Sequence, residues 1–190
     1  VEKLENDSYR VRGGDYIARD YDIEPDVSAA CYFYALAAAT GKWAMVKRMR
    51  KESLQGDMKF IKLLEKMGCT VSWERDGRQN LWLKGPDGKL KGMEVKMSDF
   101  SDQALTLAAI APFADSEVTI TGIAHIRGQE SDRIKVIVDE LAKMGILCNE
   151  LPDGVKIHPG TPKNTNIETY NDHRVAMSFA VTGLAGDGMK

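Results

Sequence analysis

Two stretches of the chain repeat one another at an offset of 77 residues. The run from Leu64 to Gly68 reads Leu-Glu-Lys-Met-Gly, and the run from Leu141 to Gly145 reads Leu-Ala-Lys-Met-Gly. The Asp-Gly pairs that begin at Asp76 and Asp153 keep the same offset. One short match between two amphipathic helices could arise by chance, but several landmarks in register indicate a duplicated structural unit.

Each copy begins in the same way, with an acidic residue followed by an apolar stretch. These pairs are Asp26 before residues 27–40, Asp102 before residues 103–114 and, in an incomplete third copy, Asp172 before residues 173–184. The first stretch carries apolar residues almost all round, which predicts a buried helix with Asp26 or Ser28 as its N-cap. An N-cap is also the simplest interpretation of Asp102.

The order of secondary structure within a copy follows from the hydrophobic periodicity. A helical stripe of apolar residues ends at Gly68 in the first copy and at Gly145 in the second, and glycine is common just after a helix. Short strands are predicted at 43–49, 70–74 and 80–84 in the first copy, and at 118–123, 147–150 and 155–158 in the second. With one more strand before each copy, the sequence predicts an α+β fold built from βαβαββ modules, two copies plus a partial third.

The first 24 residues do not fit the repeat. Residues 9–12 and 16–23 flank Gly13-Gly14 and predict a hairpin, so we assign residues 1–24 to the end of another domain. A boundary is placed near Pro25, which interrupts the strand pattern. Residues 25–190 then form a second domain, with copies at about 25–100 and 101–165 and a partial third at 166–190. Since the chain begins without Met and stops just after a helix, we expect both ends to be cut.

The composition argues against several classes of function. Lys and Arg total 26 against 28 Asp and Glu, and the formal charge of −2 is not clustered, so neither nucleic-acid binding nor attachment to an anionic membrane surface is favoured. No apolar run approaches the roughly 20 residues of a membrane span. Cys31, Cys69 and Cys148 are widely spaced, which predicts free thiols in a reducing compartment such as the cytoplasm. No group of His, Cys or carboxylate residues has the spacing of metal ligands, so we predict no metal.

The densest cluster of charge lies in the segment from Ile126 to Arg133, where eight residues carry four ionisable groups, an amide and a hydroxyl. A solvated turn before a helix would explain part of this segment, with Ser131 as N-cap and Asp132 facing the helix dipole. Such a turn does not explain why Arg127 and Arg133 flank Glu130. Guanidinium groups are suited to bidentate binding of carboxylate or phosphate.

A second arginine, Arg174, also stands at the start of an apolar helix, beside His173. A cation at a helix N-terminus opposes the helix dipole unless an anion is bound there. Because Arg133 and Arg174 occupy similar positions in different copies, they predict an anionic ligand held between the copies.

Two of these segments resemble motifs of a known family, the 5-enolpyruvylshikimate-3-phosphate (EPSP) synthases. Residues 126–133 are similar to the family's Arg-x-Lys-Glu-Ser/Thr-Asp-Arg motif, and residues 170–177, Tyr-Asn-Asp-His-Arg-Val-Ala-Met, to its Tyr-Asn-Asp-His-Arg-Met-Ala-Met motif. Residues 26–33 and 54–57 also match, so the resemblance extends over nearly the whole chain. It implies the enolpyruvyl transferase fold and a chain that corresponds to the second half of the family's proteins.

The resemblance further implies transfer of the enolpyruvyl group from phosphoenolpyruvate to the 5-hydroxyl of shikimate 3-phosphate, without a cofactor, by a protein that is a monomer when full length. A hydroxyl loses a proton and a methylene carbon gains one, which requires acid and base groups. The matching residues are Asp102 and Glu130 as the acid/base pair, Asp102, His125 and Gln129 for shikimate 3-phosphate, Arg133 and Arg174 for phosphoenolpyruvate, and Arg127 and His173 in support. Gln129 and His125 depart from the family, which has Lys and in many members Asn at these positions.

The family's site lies between two domains, and the anion-binding Lys, Ser and Arg residues of the first domain have no counterpart in this chain. We therefore expect these 190 residues alone to bind both substrates weakly and to show no detectable turnover. Two other functions stay open at this point. One is an enolpyruvyl transferase of the same architecture that acts on UDP-N-acetylglucosamine, and the other is a non-catalytic repeat module that binds an anion or a protein.

Overall fold

The computed structural model describes residues 1–74 and 79–186. Its helices are α1 (Val27–Thr40), α2 (Met58–Lys66), α3 (Ala104–Ile110), α4 (Arg133–Lys143) and α5 (His173–Ala185). Its strands are β1 (Glu2–Lys3), β2 (Tyr9–Arg10), β3 (Trp43–Val46), β4 (Thr70–Trp73), β5 (Leu81–Lys84), β6 (Glu94–Lys96), β7 (Val118–Thr121), β8 (Cys148–Leu151) and β9 (Gly154–Ile157). Helices and strands are mixed along the chain, so the predicted α+β fold is confirmed.

The two larger sheets repeat the same pairing. In the first, β5 lies between β3 and β4 and is antiparallel to both; in the second, β9 lies between β7 and β8 in the same way. β6 adds to the second sheet as a parallel neighbour of β7. Among the described residues the first sheet has no counterpart of β6. The second copy is therefore a complete βαβαββ module, and the first copy has every element except its leading strand.

The first helices of the three copies, α1, α3 and α5, pack against one another in the core. Small side chains allow this close packing, and alanines such as Ala108 and Ala109 are fully buried. The Thr182 hydroxyl on α5 donates to the Ala109 carbonyl on α3 at 2.8 Å. Arg174 at the start of α5 donates to Asp102 just before α3, and Ser28 at the start of α1 and Gln103 just before α3 both donate to Asp57. The N-termini of the three helices therefore lie at one end of the core, where the polar residues of the candidate site converge.

The second helices, α2 and α4, pack against the first helices, with α2 on α1 and α4 on α3, and contribute their apolar faces to the same core. Each ends before a glycine in the left-handed region, Gly68 at φ 105° and Gly145 at φ 76°. A residue with a Cβ is disfavoured in that conformation, so glycine suits the position just after the helix. The predicted ends of these two helices are thus confirmed.

The hairpin predicted across Gly13-Gly14 is wrong. β1 pairs with β2 instead, and residues 11–26 contain no strand. Asn6 and Asp7 both adopt left-handed conformations and form the turn between β1 and β2. Asn and Asp tolerate this conformation and form local hydrogen bonds, so the shorter hairpin closes at a turn that the glycine signal concealed. The Asp-Gly pair at Asp76 lies outside the described residues.

Candidate active site

Arg133, the first residue of α4, lies at the centre of the polar cluster with only 2% of its side chain exposed. Its Nε and Nη2 donate to the two oxygens of Asp172 at 2.8 and 3.2 Å. Nη2 also donates to Glu130 at 2.6 Å, and Nη1 donates to Gln129 and, at 3.5 Å, to Asp102. A guanidinium has five N–H donors, so these contacts use its full donor capacity and fix its position.

Arg174, in the first turn of α5, supplies the second guanidinium. Its Nη2 donates to Asp102 Oδ2 at 2.9 Å, so the Asp102 carboxylate bridges two arginines from different copies. The Asp102 side chain is 41% exposed, and that of Glu130 is 51% exposed. Both carboxylates can therefore be reached from solvent while the guanidinium of Arg133 lies behind them.

Asp172 is the buried carboxylate that holds the two arginine-bearing segments together. It is the N-cap of α5 and accepts hydrogen bonds from the Arg174 amide at 2.9 Å and the Ser131 hydroxyl at 3.0 Å, besides those from Arg133. Burial alone would raise the pKa of Asp172, but the hydrogen bonds from Arg133, the Arg174 amide and Ser131 outweigh it and hold the pKa below its usual value. Asp172 is therefore ionised, and it holds the Arg133 side chain and the Arg174 backbone amide in position.

Two of the cap assignments made from sequence are wrong. Ser131 does not cap α4; Asp132 does, by accepting from the Lys135 amide at 3.1 Å. Ser131 is instead drawn to Asp172, a buried carboxylate that needs donors. Asp102 does not cap α3 either, because it lies inside a 3₁₀ turn, Ser101–Gln103, and its side chain points to the arginines. Asp26 does cap α1, as predicted.

The other residues predicted from sequence lie around the cluster. Arg127 donates to Asp132 at 3.2 Å and to Glu150 at 2.6 Å, so it ties its loop to β8 rather than facing the bridging carboxylate. His125 Nε2 lies 2.8 Å from the Ser101 hydroxyl, next to Asp102 in sequence. His173 is exposed at the start of α5. Asp102, Gln129, Glu130, Arg133 and Arg174 are thus brought together in one network, His125 lies at its edge, and Arg127 lies outside it.

A cleft of about 470 Å³ opens beside Asp102 and Gln129. Its remaining lining includes polar residues of the first copy that were not predicted as site residues: Ser28, Gln55 and Asp57. Asp57 is buried and accepts from the Ser28 hydroxyl and from Gln103 Nε2, the latter at 2.7 Å. These residues lie in segments 26–33 and 54–57, so the motif match located them, but only the packing of the copies shows that they share a cleft with Asp102.

The electrostatics of the cluster limit what it can bind. Two guanidinium groups face three carboxylates, so an incoming anion must displace a carboxylate or be met by further positive charge. Burial raises the pKa of Cys69 to about 12 and that of Cys31 well above its usual value, which disfavours the reactive thiolate form of both. Within residues 1–74 and 79–186, no three His, Cys, Asp or Glu side chains are grouped to hold a metal ion. No helix in the same ranges is long and apolar enough to cross a membrane.

Comparisons with known proteins agree on one family. The sequence profile of EPSP synthase (3-phosphoshikimate 1-carboxyvinyltransferase) matches residues 1–189. The 3-phosphoshikimate 1-carboxyvinyltransferase of Nostoc punctiforme is 45% identical over 190 residues, which make up 100% of this chain and 44% of that protein. The 3-phosphoshikimate 1-carboxyvinyltransferase 2 of Halalkalibacterium halodurans is 45% identical over 177 residues, with 92% of this chain and 39% of that protein covered.

A solved structure gives the same result at the level of the fold. EPSP synthase from Acinetobacter baumannii, at 2.37 Å resolution, superposes with a TM-score of 0.76 and 29% sequence identity. The superposition covers 93% of this chain and 43% of that one. The chain therefore spans less than half the length of the relatives that it matches.

Proposed function

This chain belongs to the EPSP synthase family, and on that basis we propose that it forms one wall of an active site that transfers the enolpyruvyl group from phosphoenolpyruvate to the 5-hydroxyl of shikimate 3-phosphate. The relatives are more than twice as long as the matched region, so the complete site also needs residues from the remainder of the family's sequence. The proposal rests on one observation: the Asp102 carboxylate bridges Arg133 and Arg174, with Glu130 beside it.

The two arginines bind phosphoenolpyruvate in this proposal. Asp102 already occupies the position of an anion, because its oxygens accept from both guanidinium groups. A ligand carboxylate or phosphate can replace it on Arg174 through the same charge-assisted hydrogen bonds. Arg133 stays anchored by Asp172 and exchanges its contacts with Asp102 and Gln129 for contacts with the ligand.

The two exposed carboxylates carry the proton transfers. Once Asp102 has left Arg174, it faces the cleft and can accept the proton of the attacking hydroxyl. Glu130, which accepts from Arg133 at 2.6 Å, takes part in proton transfer at the methylene carbon and faces positive charge that develops at the central carbon. Positioned acid and base groups of this kind typically contribute about 10²- to 10⁴-fold to the rate.

His125 and Gln129 are assigned to shikimate 3-phosphate together with Asp102. Both line or border the cleft, His125 through its contact with Ser101 and Gln129 through its contact with Arg133. Gln129 brings no positive charge where the family has Lys. We propose that His125 supplies part of the missing positive charge at the phosphate.

The cellular setting is also a proposal. Cys31 and Cys69 are buried free thiols in the structure, which suits the cytoplasm.

We propose that residues 25–190 make up most of one domain of a monomeric, two-domain enzyme that closes on its substrates.

A chimera tests the function directly. In it, this chain replaces the matching 190 residues of the Nostoc punctiforme relative, and release of phosphate from phosphoenolpyruvate is measured with shikimate 3-phosphate as acceptor. We expect turnover by the chimera and none by the isolated chain. UDP-N-acetylglucosamine, given as acceptor in place of shikimate 3-phosphate, should yield no phosphate.

The matched variant is Glu130→Gln in the same chimera, with Glu65→Gln on α2 as the control. Loss of the acid/base group should lower kcat about 10²-fold or more, and the control should not. A chimera that folds but releases phosphate only with UDP-N-acetylglucosamine would favour the other transferase. A folded chimera that turns over neither acceptor, or an unchanged kcat in Glu130→Gln, would contradict the proposal.

A further inference from the structure

Glu140 is a fully buried acid on α4 that the proposed chemistry does not use. Its Oε1 accepts from the Tyr170 hydroxyl at 2.7 Å and from Lys143 at 2.6 Å, and its Oε2 accepts from the Glu168 amide at 3.3 Å. A buried carboxylate is costly unless donors surround it. Two of the three donors belong to the segment that leads into α5, so the contacts of Glu140 serve that segment.

The segment contains two consecutive residues in an unfavourable conformation. Tyr170 and Asn171 both have φ 54°, in the left-handed region. Asn tolerates this conformation, but a bulky residue such as Tyr adopts it only when its surroundings require it. The only hydrogen bond of the Tyr170 side chain in the described part of the chain is the one to Glu140. This bond acts on the turn together with the backbone bond from the Asp172 amide to the Thr169 carbonyl at 2.8 Å and the packing of Tyr170 against the core.

The turn is followed at once by the anion-site residues. Asp172 caps α5 and accepts from Arg133, and Arg174 reaches Asp102 from the first turn of the helix. The direction of α5 at its first residue, and with it the direction of the Arg174 side chain, depends on the backbone of the two residues before the cap.

Helix α4 holds the segment at two points on one face. Arg133 and Glu140 are seven residues apart, which is about two helical turns, so their side chains lie on the same side of α4. The first binds Asp172 and the second binds Tyr170. Burial and the Glu140 carboxylate raise the pKa of the Tyr170 hydroxyl well above its usual value, so the hydroxyl stays protonated and remains a donor at ordinary pH.

We propose that Glu140 and Tyr170 are positioning residues for the anion site, and that their hydrogen bond sets the turn at 170–171 which aims Arg174 and Asp172. The inference rests on the proposed function, because it assigns the affected subsite to phosphoenolpyruvate. The shikimate 3-phosphate side of the cleft, at Asp102 and His125, is carried by other elements. Loss of the bond should therefore weaken the binding of phosphoenolpyruvate and not that of shikimate 3-phosphate.

The test is Tyr170→Phe in the chimera, which removes one oxygen and keeps the ring. We expect KM for phosphoenolpyruvate to rise about tenfold, with KM for shikimate 3-phosphate changed less than twofold. Glu140→Gln replaces the charged acceptor of this bond by a neutral one and should act in the same direction. The double variant should raise KM for phosphoenolpyruvate by less than the product of the two single effects, because both changes act on the same bond. Tyr16→Phe, at a fully exposed tyrosine, is the control and should change neither KM.

The outcomes separate positioning from general stability. If Tyr170→Phe lowers Tm and raises both KM values together, or leaves KM for phosphoenolpyruvate unchanged, the inference is wrong. If Glu140→Gln does not fold, Tyr170→Phe decides alone. If the wild-type chimera is folded but inactive, the proposed function has failed, and the inference is then decided on the 190-residue chain by hydrogen exchange.

In that experiment the Arg174 amide, which donates to Asp172, should exchange about tenfold faster in Tyr170→Phe. The Lys135 amide, which donates to Asp132 on α4, should exchange at its wild-type rate. Equal rates at Arg174 in the variant and the wild type would overturn the inference.

Discussion

The first and second copies share an equivalent corner, the residues just before the first helix of the copy. The acid at this corner makes different contacts in the two copies. In the first copy Asp26 accepts hydrogen bonds from the Ser28 and Ala29 amides and caps α1. In the second copy Asp102 stands 76 residues later, at the equivalent place, but caps nothing and bridges two arginines. The acid therefore caps a helix in the first copy and does not in the second.

The next corner shows the same difference. Gln55 and Glu130 each stand three residues before the first residue of the second helix. Gln55 is neutral and satisfies the backbone, accepting from the Val27 amide at 2.8 Å and donating to the Pro25 carbonyl at 2.9 Å. Glu130 is charged and contacts Arg133, where the first copy has Met58. Charge thus appears in the second copy at positions where the first copy needs only caps and packing, and departures of this kind are expected at functional sites.

The sharpest way to break the comparison is to neutralise the two equivalent acids in the chimera. Asp102→Asn should lower kcat by about 10²- to 10⁴-fold, because it removes the proposed base. Asp26→Asn should leave kcat within about twofold, because Asn caps a helix as well as Asp does. Steady-state phosphate release measures both. Equal losses in the two variants would mean that the first corner is also part of the catalytic machinery.

The next largest effect concerns the first residues of α2 and α4. Arg133→Met gives the second copy the residue found at Met58, and it leaves Asp172 buried without its main partner. Breaking a buried ion pair in this way typically costs about 3–5 kcal/mol of unfolding free energy. Urea denaturation of the 190-residue chain measures it, with Arg127→Met, at a more exposed arginine, as the control. A loss below that of the control would show that Arg133 is not needed by the fold.

Acid should destabilise the fold through Asp172, the acid that begins the partial third copy. The pKa of Asp172 is lowered in the folded state, above all by donation from Arg133 against the effect of burial. Its contribution to stability is therefore complete above the pKa of an unfolded Asp and is lost as the pH falls through the lower, folded value. As the pH falls from about 5 to about 2, the free energy of unfolding should decrease more for the wild-type chain than for Asp172→Asn. Parallel stability curves for the two proteins would contradict this assignment.

Periodicity was sufficient to predict the repeated elements from the sequence, except the leading strand of the first copy, which the described residues do not contain. The stripes ending at Gly68 and Gly145 and the caps at Asp26 and Asp172 follow local rules of spacing and capping, which can be applied to the sequence directly. The hairpin at Gly13-Gly14 failed because two turn signals competed and the signal at Asn6-Asp7 closed a shorter hairpin.

The sequence indicated which residues form the candidate site, among them Asp102, Arg133 and Arg174, but not which side chains contact one another. The bonds of Arg133 to Asp172 and of Arg174 to Asp102 join residues 39 and 72 positions apart. No local rule links such residues, and they meet because α1, α3 and α5 pack with their starts together. Asp172 was read as the start of a helix and is also the main partner of Arg133, and Arg127 was read as a supporting residue but is occupied by Asp132 and Glu150.

The smallest expected effect separates affinity from catalysis at Asp102 itself. In the 190-residue chain, Asp102 competes with any anion for Arg174, so Asp102→Asn should tighten binding of phosphoenolpyruvate about two- to fivefold, the size expected for removing one partly exposed ionic competitor. Asp26→Asn, which removes the same charge from the equivalent corner, should leave the affinity unchanged, because Asp26 contacts only amides of its own helix. Calorimetric or NMR titration at constant ionic strength measures the difference, since salt screens the exposed groups. Tighter binding by a variant that has lost turnover would show that this acid is kept for chemistry at a cost in ground-state affinity, whereas weaker binding would show that Asp102 holds the arginines in place for the ligand rather than competing with it.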